Sequence, residues 1–212
     1  MGVLERKERE KKQRRNAILD AAEKIFFQQG LFNTSMDSIA KEAEFSKGTL
    51  YLYFKNKEEL YRAVLLRGFI LLEQKLKEAL HDDASAYQNI INISTAYYKF
   101  SQDEDGYFNA ILSYQDDEFD IDNLEVESGK SLKAGNRVIQ ILIDNIEKGR
   151  QDGSIDSNIN PLESAFVLWS QFTGFLQMLK KKREIIDHYF SVSQENLLET
   201  YFLLVEKALR PR

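Results

Sequence analysis

Apolar positions recur along most of this chain with the spacing of an α-helix. Ile18, Ala21, Ala22, Ile25 and Phe26 fall at i, i+3, i+4, i+7 and i+8, which is one stripe on a helix. Gly30 follows, and a glycine just past such a stripe predicts the helix end. Thr34 or Ser35 caps a second helix that turns Met36, Ile39, Ala40 and Ala43 inward. Ser46 caps a short third helix, with Leu50 and Phe54 four apart on its buried face. Asn56 opens a long fourth helix, and Glu59 at its third position completes a capping box. Leu60, Val64, Phe69, Leu72 and Leu76 mark its successive turns.

Further helices are predicted over roughly 84–101, 104–115, 123–151, 161–182 and 194–209. Asn160-Pro161-Leu162-Glu163 supplies a cap, a first-position proline and a capping glutamate, a strong start signal. Between Lys180 and Val192 the pattern supports only a short helical turn around Ile185, Ile186, Tyr189 and Phe190. With 2 prolines and no alternating β-branched runs, the fold class is all-α with no sheet.

Composition adds a core and charge adds a direction. A hydrophobic fraction of 43% in 212 residues is enough for a packed interior. Residues 1–57 carry 12 Lys and Arg against 8 Asp and Glu, and residues 58–212 carry 17 against 26. The net acidic total therefore hides a basic N-terminal quarter, which suits a nucleic-acid contact at one end and an acidic body at the other. Within that quarter, Glu5/Arg9, Glu8/Lys12 and Glu10/Arg14 sit at i,i+4 and favour a helical extension. The absence of cysteine excludes disulfides and thiolate metal sites. No leader-like apolar stretch and no run near 18 apolar residues occurs, so no membrane partner is expected and the localisation is cytoplasmic.

Residues 34–57 carry the chemistry. Ser46 at the cap of the third helix directs its first amides outward, where a phosphate fits. Gly48 leaves the backbone bare, Lys47 adds a charge, and Thr49 adds a hydroxyl and a methyl. Tyr51 and Tyr53 flank the buried pair Leu50 and Phe54, which brings their phenols to the exposed tip. Lys57 begins the next helix, where amides and ammonium together favour an anion.

These residues resemble the DNA-binding domain of the TetR family of bacterial transcriptional regulators. The match runs through Ile18, Ala21, Ala22, Phe26, Gly30, Thr34, Ile39, Ala40, Ala43, Ser46-Lys47-Gly48-Thr49-Leu50-Tyr51, Tyr53-Phe54, Lys57 and Leu60. Glu44 departs from it, standing in the turn where many members have glycine. The resemblance implies a three-helix helix-turn-helix head (residues 1–56) joined by a long helix to a helical effector-binding and dimerisation body (57–212). It implies phosphate contacts from Thr34, Ser35, Tyr51 and Lys57, and base-proximal positions for Lys47, Gly48, Thr49 and Tyr53. It further implies a homodimer on a pseudo-palindromic double-stranded DNA operator, acting as a repressor released by a small ligand.

In the body, 161–182 and 194–209 are apolar on more than one face, which requires burial on two sides. The expected dimer interface there is Phe166, Phe175, Leu198, Tyr201, Phe202 and Val205. An apolar or amphipathic effector is expected near Phe69, Tyr97, Phe108, Leu112, Ile141, Trp169 and Phe172. The alternative is a DNA-bound regulator whose body recruits a protein and binds no small ligand.

Enzyme chemistry finds no support. His81 and His188 are isolated in sequence, no nucleophile–base set or phosphate-cradling glycine loop occurs, and no cofactor is expected. The acid-rich run Asp116–Asp122 lacks the glycine and terminal glutamate of an EF-hand loop and reads as a solvated loop.

Overall fold

The computed structural model describes residues 2–113 and 127–211. The described residues form nine α-helices and no strand: α1 (Val3–Asn33), α2 (Met36–Glu42), α3 (Lys47–Tyr51), α4 (Lys57–Glu78), α5 (Ala86–Asp103), α6 (Asp105–Ser113), α7 (Glu127–Asp152), α8 (Pro161–Phe190) and α9 (Gln194–Leu209). The acidic run Asp116–Asp122 and two of the body's aromatics, Tyr114 and Phe119, lie outside the described residues. No helix among the described residues is long and apolar enough to cross a membrane.

Helix boundaries follow the cap chemistry. Ser35 Oγ accepts from the Ser38 N–H at 3.1 Å and Ser46 Oγ from the Thr49 N–H at 3.1 Å. Asn56 Oδ1 accepts from the Glu59 N–H at 2.7 Å, while Glu59 reaches back to the Lys55 N–H rather than to Asn56. Asn160 Oδ1 accepts from both Leu162 and Glu163 N–H groups. Gly30 does break the first helix, at φ 74°, but helical bonding resumes and carries the element to Asn33. The helix that opens at Pro161 runs past the predicted end near 182 to Phe190, and residues 183–190 hold no glycine or proline to stop it. It stops where Ser191 turns left-handed at φ 53°.

The chain divides into two compact units, one of Met1–Leu71 with Glu104–Gly135, the other of Leu72–Asp103 with Asn136–Arg212. The division falls inside α4 and inside α7 rather than at residue 56.

In the first unit, α1, α2, α3 and the start of α4 enclose a core of Ile18, Ala22, Phe26, Ile39, Leu50, Phe54, Leu60 and Val64. Every residue of the predicted α1 stripe is buried. Helix α6 packs on α1 and on α4 through one glycine-permitted contact each. A Cβ on Gly106 would lie 2.3 Å from the Phe27 ring, and one on Gly68 would lie 2.8 Å from the Tyr107 ring. The two rings meet edge to face at 5.0 Å. Beside them the Arg67 guanidinium donates to Asp20 and Glu23, each at 2.7 Å, bracing α4 against α1. Burial alone would lower the Arg67 pKa, but the two carboxylates outweigh it and hold the pKa above its usual value. Tyr107 is pushed up by burial and by its hydrogen bond to Glu23, so it stays a neutral phenol.

The second unit packs α5, α8 and α9 around Ala86, Ile90, Leu142, Ile146, Ala165, Val205 and Leu209. Asn89 pins the entry to α5 by accepting from the His81 N–H and donating to the His81 carbonyl, both at 2.9 Å. The buried Asn145 amide donates to the Ala86 carbonyl. The second unit thus satisfies these two buried amides internally.

Candidate nucleic-acid interface and the cavity in the body

The α2–α3 turn sets the direction in which α3 points. The Phe45 N–H bonds the Ala40 carbonyl at 3.0 Å and the Glu44 N–H bonds the Lys41 carbonyl at 3.3 Å. That pair of bonds is a Schellman motif, and its left-handed position is held by Glu44 at φ 56°. A glycine is therefore not needed for the turn to close, although an L-residue there costs about 1–2 kcal/mol.

Beyond the turn, α3 buries Leu50 completely, and Phe54, just past its end, is almost fully buried. Ser35, Lys47, Gly48 and Tyr51 are exposed; Thr49, Tyr53 and Lys57 are partly so. Tyr53 packs against the head core with one side of its ring. Ser46 and Thr49 hydroxyls share a 2.8 Å hydrogen bond, which fixes the Thr49 rotamer. The Lys47 ammonium donates to Asp37 at 2.9 Å, and that bond raises its pKa, so Lys47 stays charged. Both partners are solvated, so the pair is weak and can be exchanged for another anion.

Thr34 differs from this set in its surroundings. It is 4% exposed, and its hydroxyl donates to the Gly30 carbonyl at 2.7 Å. It satisfies the carbonyl freed by the break in α1 and leaves no hydroxyl hydrogen for a phosphate.

The second unit encloses a small cavity of about 20 Å³, room for about one water molecule. Its walls include Ile93, Tyr97, Leu168, Trp169, Phe172 and Tyr201. Tyr97 stacks on Trp169 at 4.4 Å, and its hydroxyl shares a 3.1 Å bond with Thr173. Burial pushes the Tyr97 phenol up to about 12, and that of Tyr201 likewise to about 12. Tyr97, Trp169 and Phe172 line this cavity together. Ile141 faces a separate open depression beside Lys77 and Lys148 instead. Phe69, Phe108 and Leu112 belong to the first unit and line no part of this cavity.

The expected dimer residues also divide. Phe166 is 56% exposed, and Leu198 and Phe202 are partly exposed. Tyr201 instead stacks on Phe175 at 5.2 Å and lines the cavity, and Val205 is buried in the unit's own core. Val205 is thus buried within one chain, while Phe175 and Tyr201 are half-buried there. The apolar residues that α8 and α9 leave exposed are Leu162, Phe166, Val167, Leu203 and Leu204, with Ile185, Tyr189 and Phe190 near the end of α8.

A short helix thrown outward by a tight turn, on an otherwise buried helical head, defines the helix-turn-helix class of DNA-binding proteins. Known proteins narrow the class. The family model for bacterial regulatory proteins of the tetR family matches residues 18–64. The uncharacterized HTH-type transcriptional regulator YhgD of Bacillus subtilis is 28% identical over 82% of this chain and 88% of its own. The HTH-type transcriptional repressor NemR of Escherichia coli is 27% identical over 76% of this chain and 80% of its own. The structure of the transcriptional regulator FadR from Bacillus subtilis in complex with stearoyl-CoA superposes with a TM-score of 0.73 at 16% identity, covering 92% of this chain and 98% of that one. Residues 18–64 thus match the tetR family model, and over most of its length the chain is similar to HTH-type transcriptional regulators.

Proposed function

We propose that the chain is a homodimeric, sequence-specific repressor that leaves a pseudo-palindromic operator when a small apolar or amphipathic molecule enters its helical body. Residues 1–56 act as the DNA-binding domain and 57–212 as the effector-binding and dimerisation domain. The protein works in the cytoplasm, where the chromosome is. The observation that carries the reading is the polar set around α3. Lys47, Gly48, Thr49 and Tyr51 on α3, with Ser35 at the cap of α2 and Lys57 at the start of α4, all have solvent access, while Leu50 and Phe54 seal the inner side. Ser35, Tyr51 and Lys57 serve phosphates. Lys47, Gly48, Thr49 and Tyr53 lie nearest the bases.

One recognition helix reads few base pairs. Two copies related by a two-fold axis double the contacts and fix the half-site spacing at about one helical turn or a multiple of it. Leu162, Phe166 and Val167 on α8, with Leu203 and Leu204 on α9, are the apolar surface for such a pairing. Ser170 and Gly174 lie further along the same exposed side of α8, and Gly174 has open space around its missing side chain, so a second helix can approach closely.

Tyr97, Trp169 and Phe172 mark the effector site. FadR, of like fold, holds stearoyl-CoA, so this architecture admits a long apolar ligand. The cavity in this chain is small, which favours an opening of α5 against α8 and α9 on binding. It also favours the second reading, a body that takes no ligand and recruits a protein through its exposed apolar residues.

The experiment is fluorescence anisotropy of the purified protein on a duplex recovered by selection from a random pool, with salt varied. Affinity falls with log-log slope about 0.9 per phosphate neutralised. Lys57→Ala lowers that slope by about one and weakens all sequences alike, whereas Thr49→Ala relaxes discrimination. A salt-independent affinity would defeat the DNA reading. Denaturation midpoints that do not rise with any apolar compound, alongside intact DNA binding, would leave the protein-recruiting reading standing.

A further inference from the structure

The outermost line of α3 is apolar. Successive residues step about 100° round a helix. With fully buried Leu50 as the inward direction, Gly48 and Leu52 each fall within about 20° of straight outward. Thr49 and Tyr51 fall to the sides. Leu52 caps the helix but keeps right-handed angles, φ −72° and ψ −21°, so the step holds through it. Exposure agrees, with Leu52 at 82% against 47% for Tyr51. Gly48 has no side chain, and a Cβ there would meet only Ser46 Oγ, at 3.8 Å. The first turn of α3 is therefore bare on its outward line, and Leu52 is the side chain that reaches furthest along it.

A single exposed leucine is ordinary on a protein surface. Its place here is what matters, at the tip of the element that the proposed function puts in the major groove. A leucine can neither donate to phosphate nor read a hydrogen-bonding base edge. The one major-groove feature it complements is the C5-methyl group of thymine. Resting on the DNA-binding reading above, we infer that Leu52 reads thymine methyls in each operator half-site and is a specificity-determining residue alongside Thr49.

The test is selection from random DNA duplexes by the full-length wild-type protein and by Leu52→Ala, followed by deoxyuridine replacement in the recovered site. Leu52 is exposed, so the variant should melt like the wild type, which circular dichroism checks. The expected result is loss of thymine preference at one or two symmetric positions with the rest of the motif kept. Deoxyuridine at those positions should weaken wild-type binding roughly fourfold per methyl removed, about the value of one buried methylene, and leave Leu52→Ala unaffected. An identical motif from both proteins, or the same deoxyuridine penalty in both, overturns the inference while the DNA-binding reading stands. Failure of the wild type to enrich any sequence overturns both.

Discussion

Glu44→Gly is the most direct probe of the α2–α3 turn. Glu44 holds the left-handed position of the Schellman motif at φ 56°, where a side chain costs about 1–2 kcal/mol and glycine costs nothing sterically. Glycine gives back about 0.5–1 kcal/mol through the greater freedom of the unfolded chain. The net is a stabilisation of about 0.5–1 kcal/mol, which for a chain of this size raises the melting temperature by about 1–4 °C. Glu44→Ala is the control, since it removes the same charge but keeps the strain, so its stability should stay within about 0.5 kcal/mol of wild type. Thermal melts by circular dichroism give the global shift, and slower amide exchange in α2 and α3 localises it. Because the carboxylate stands beside the DNA-facing helix, both variants should bind duplex DNA more tightly, and the gain should shrink as salt rises. If glycine and alanine melt together, or if glycine melts lower, the strain assigned to this residue is not there.

Gly106→Ala should destabilise by about 1–3 kcal/mol in urea, although alanine is the better helix former, because its Cβ would press into the Phe27 ring. A neutral or stabilising result would mean that α6 is free to move off α1. At alkaline pH, the raised phenols of the second unit set the trend. Tyr97 has a folded value of about 12 against an ordinary 10, so its contribution is complete below pH 10 and is lost as pH rises from 10 to 12. The loss is about 2–3 kcal/mol. Urea midpoints for wild type and Tyr97→Phe at pH 8 and pH 11.5 should converge as pH rises, and parallel curves would refute the burial of that phenol. Phe166→Glu should lower the dimer fraction in analytical ultracentrifugation, while Val205→Glu should unfold the second unit. Equal effects from both would contradict the division of α8 and α9 into outer and inner faces.

Much of the fold was legible because its signals are local. A cap needs one side chain and one amide three residues on, and Ser35, Ser46, Asn56 and Asn160 all deliver that bond where their sequence context predicts it. The α1 stripe and the pair Leu50 and Phe54 needed only helical periodicity. The end of α8 was missed because a charged run such as Lys180–Arg183 is equally compatible with loop and with an exposed helix. The glycine rule marked Gly30 correctly as a break but not the resumption of helix after it.

The sequence by itself determined the helices, their caps and the outward character of residues 46–57, since each depends on neighbours within a turn or two. It could not decide which of two apolar faces meets the same chain and which is left for another. Tyr201 and Val205 read like Phe166 in periodicity, yet they face inward because α5 and α8 happen to lie against that side of α9. Thr34 read as a phosphate contact from its place beside the cap, but its burial depends on the packing of the whole head. Burial is a property of what packs on a residue from far along the chain, and spacing alone carries no record of it.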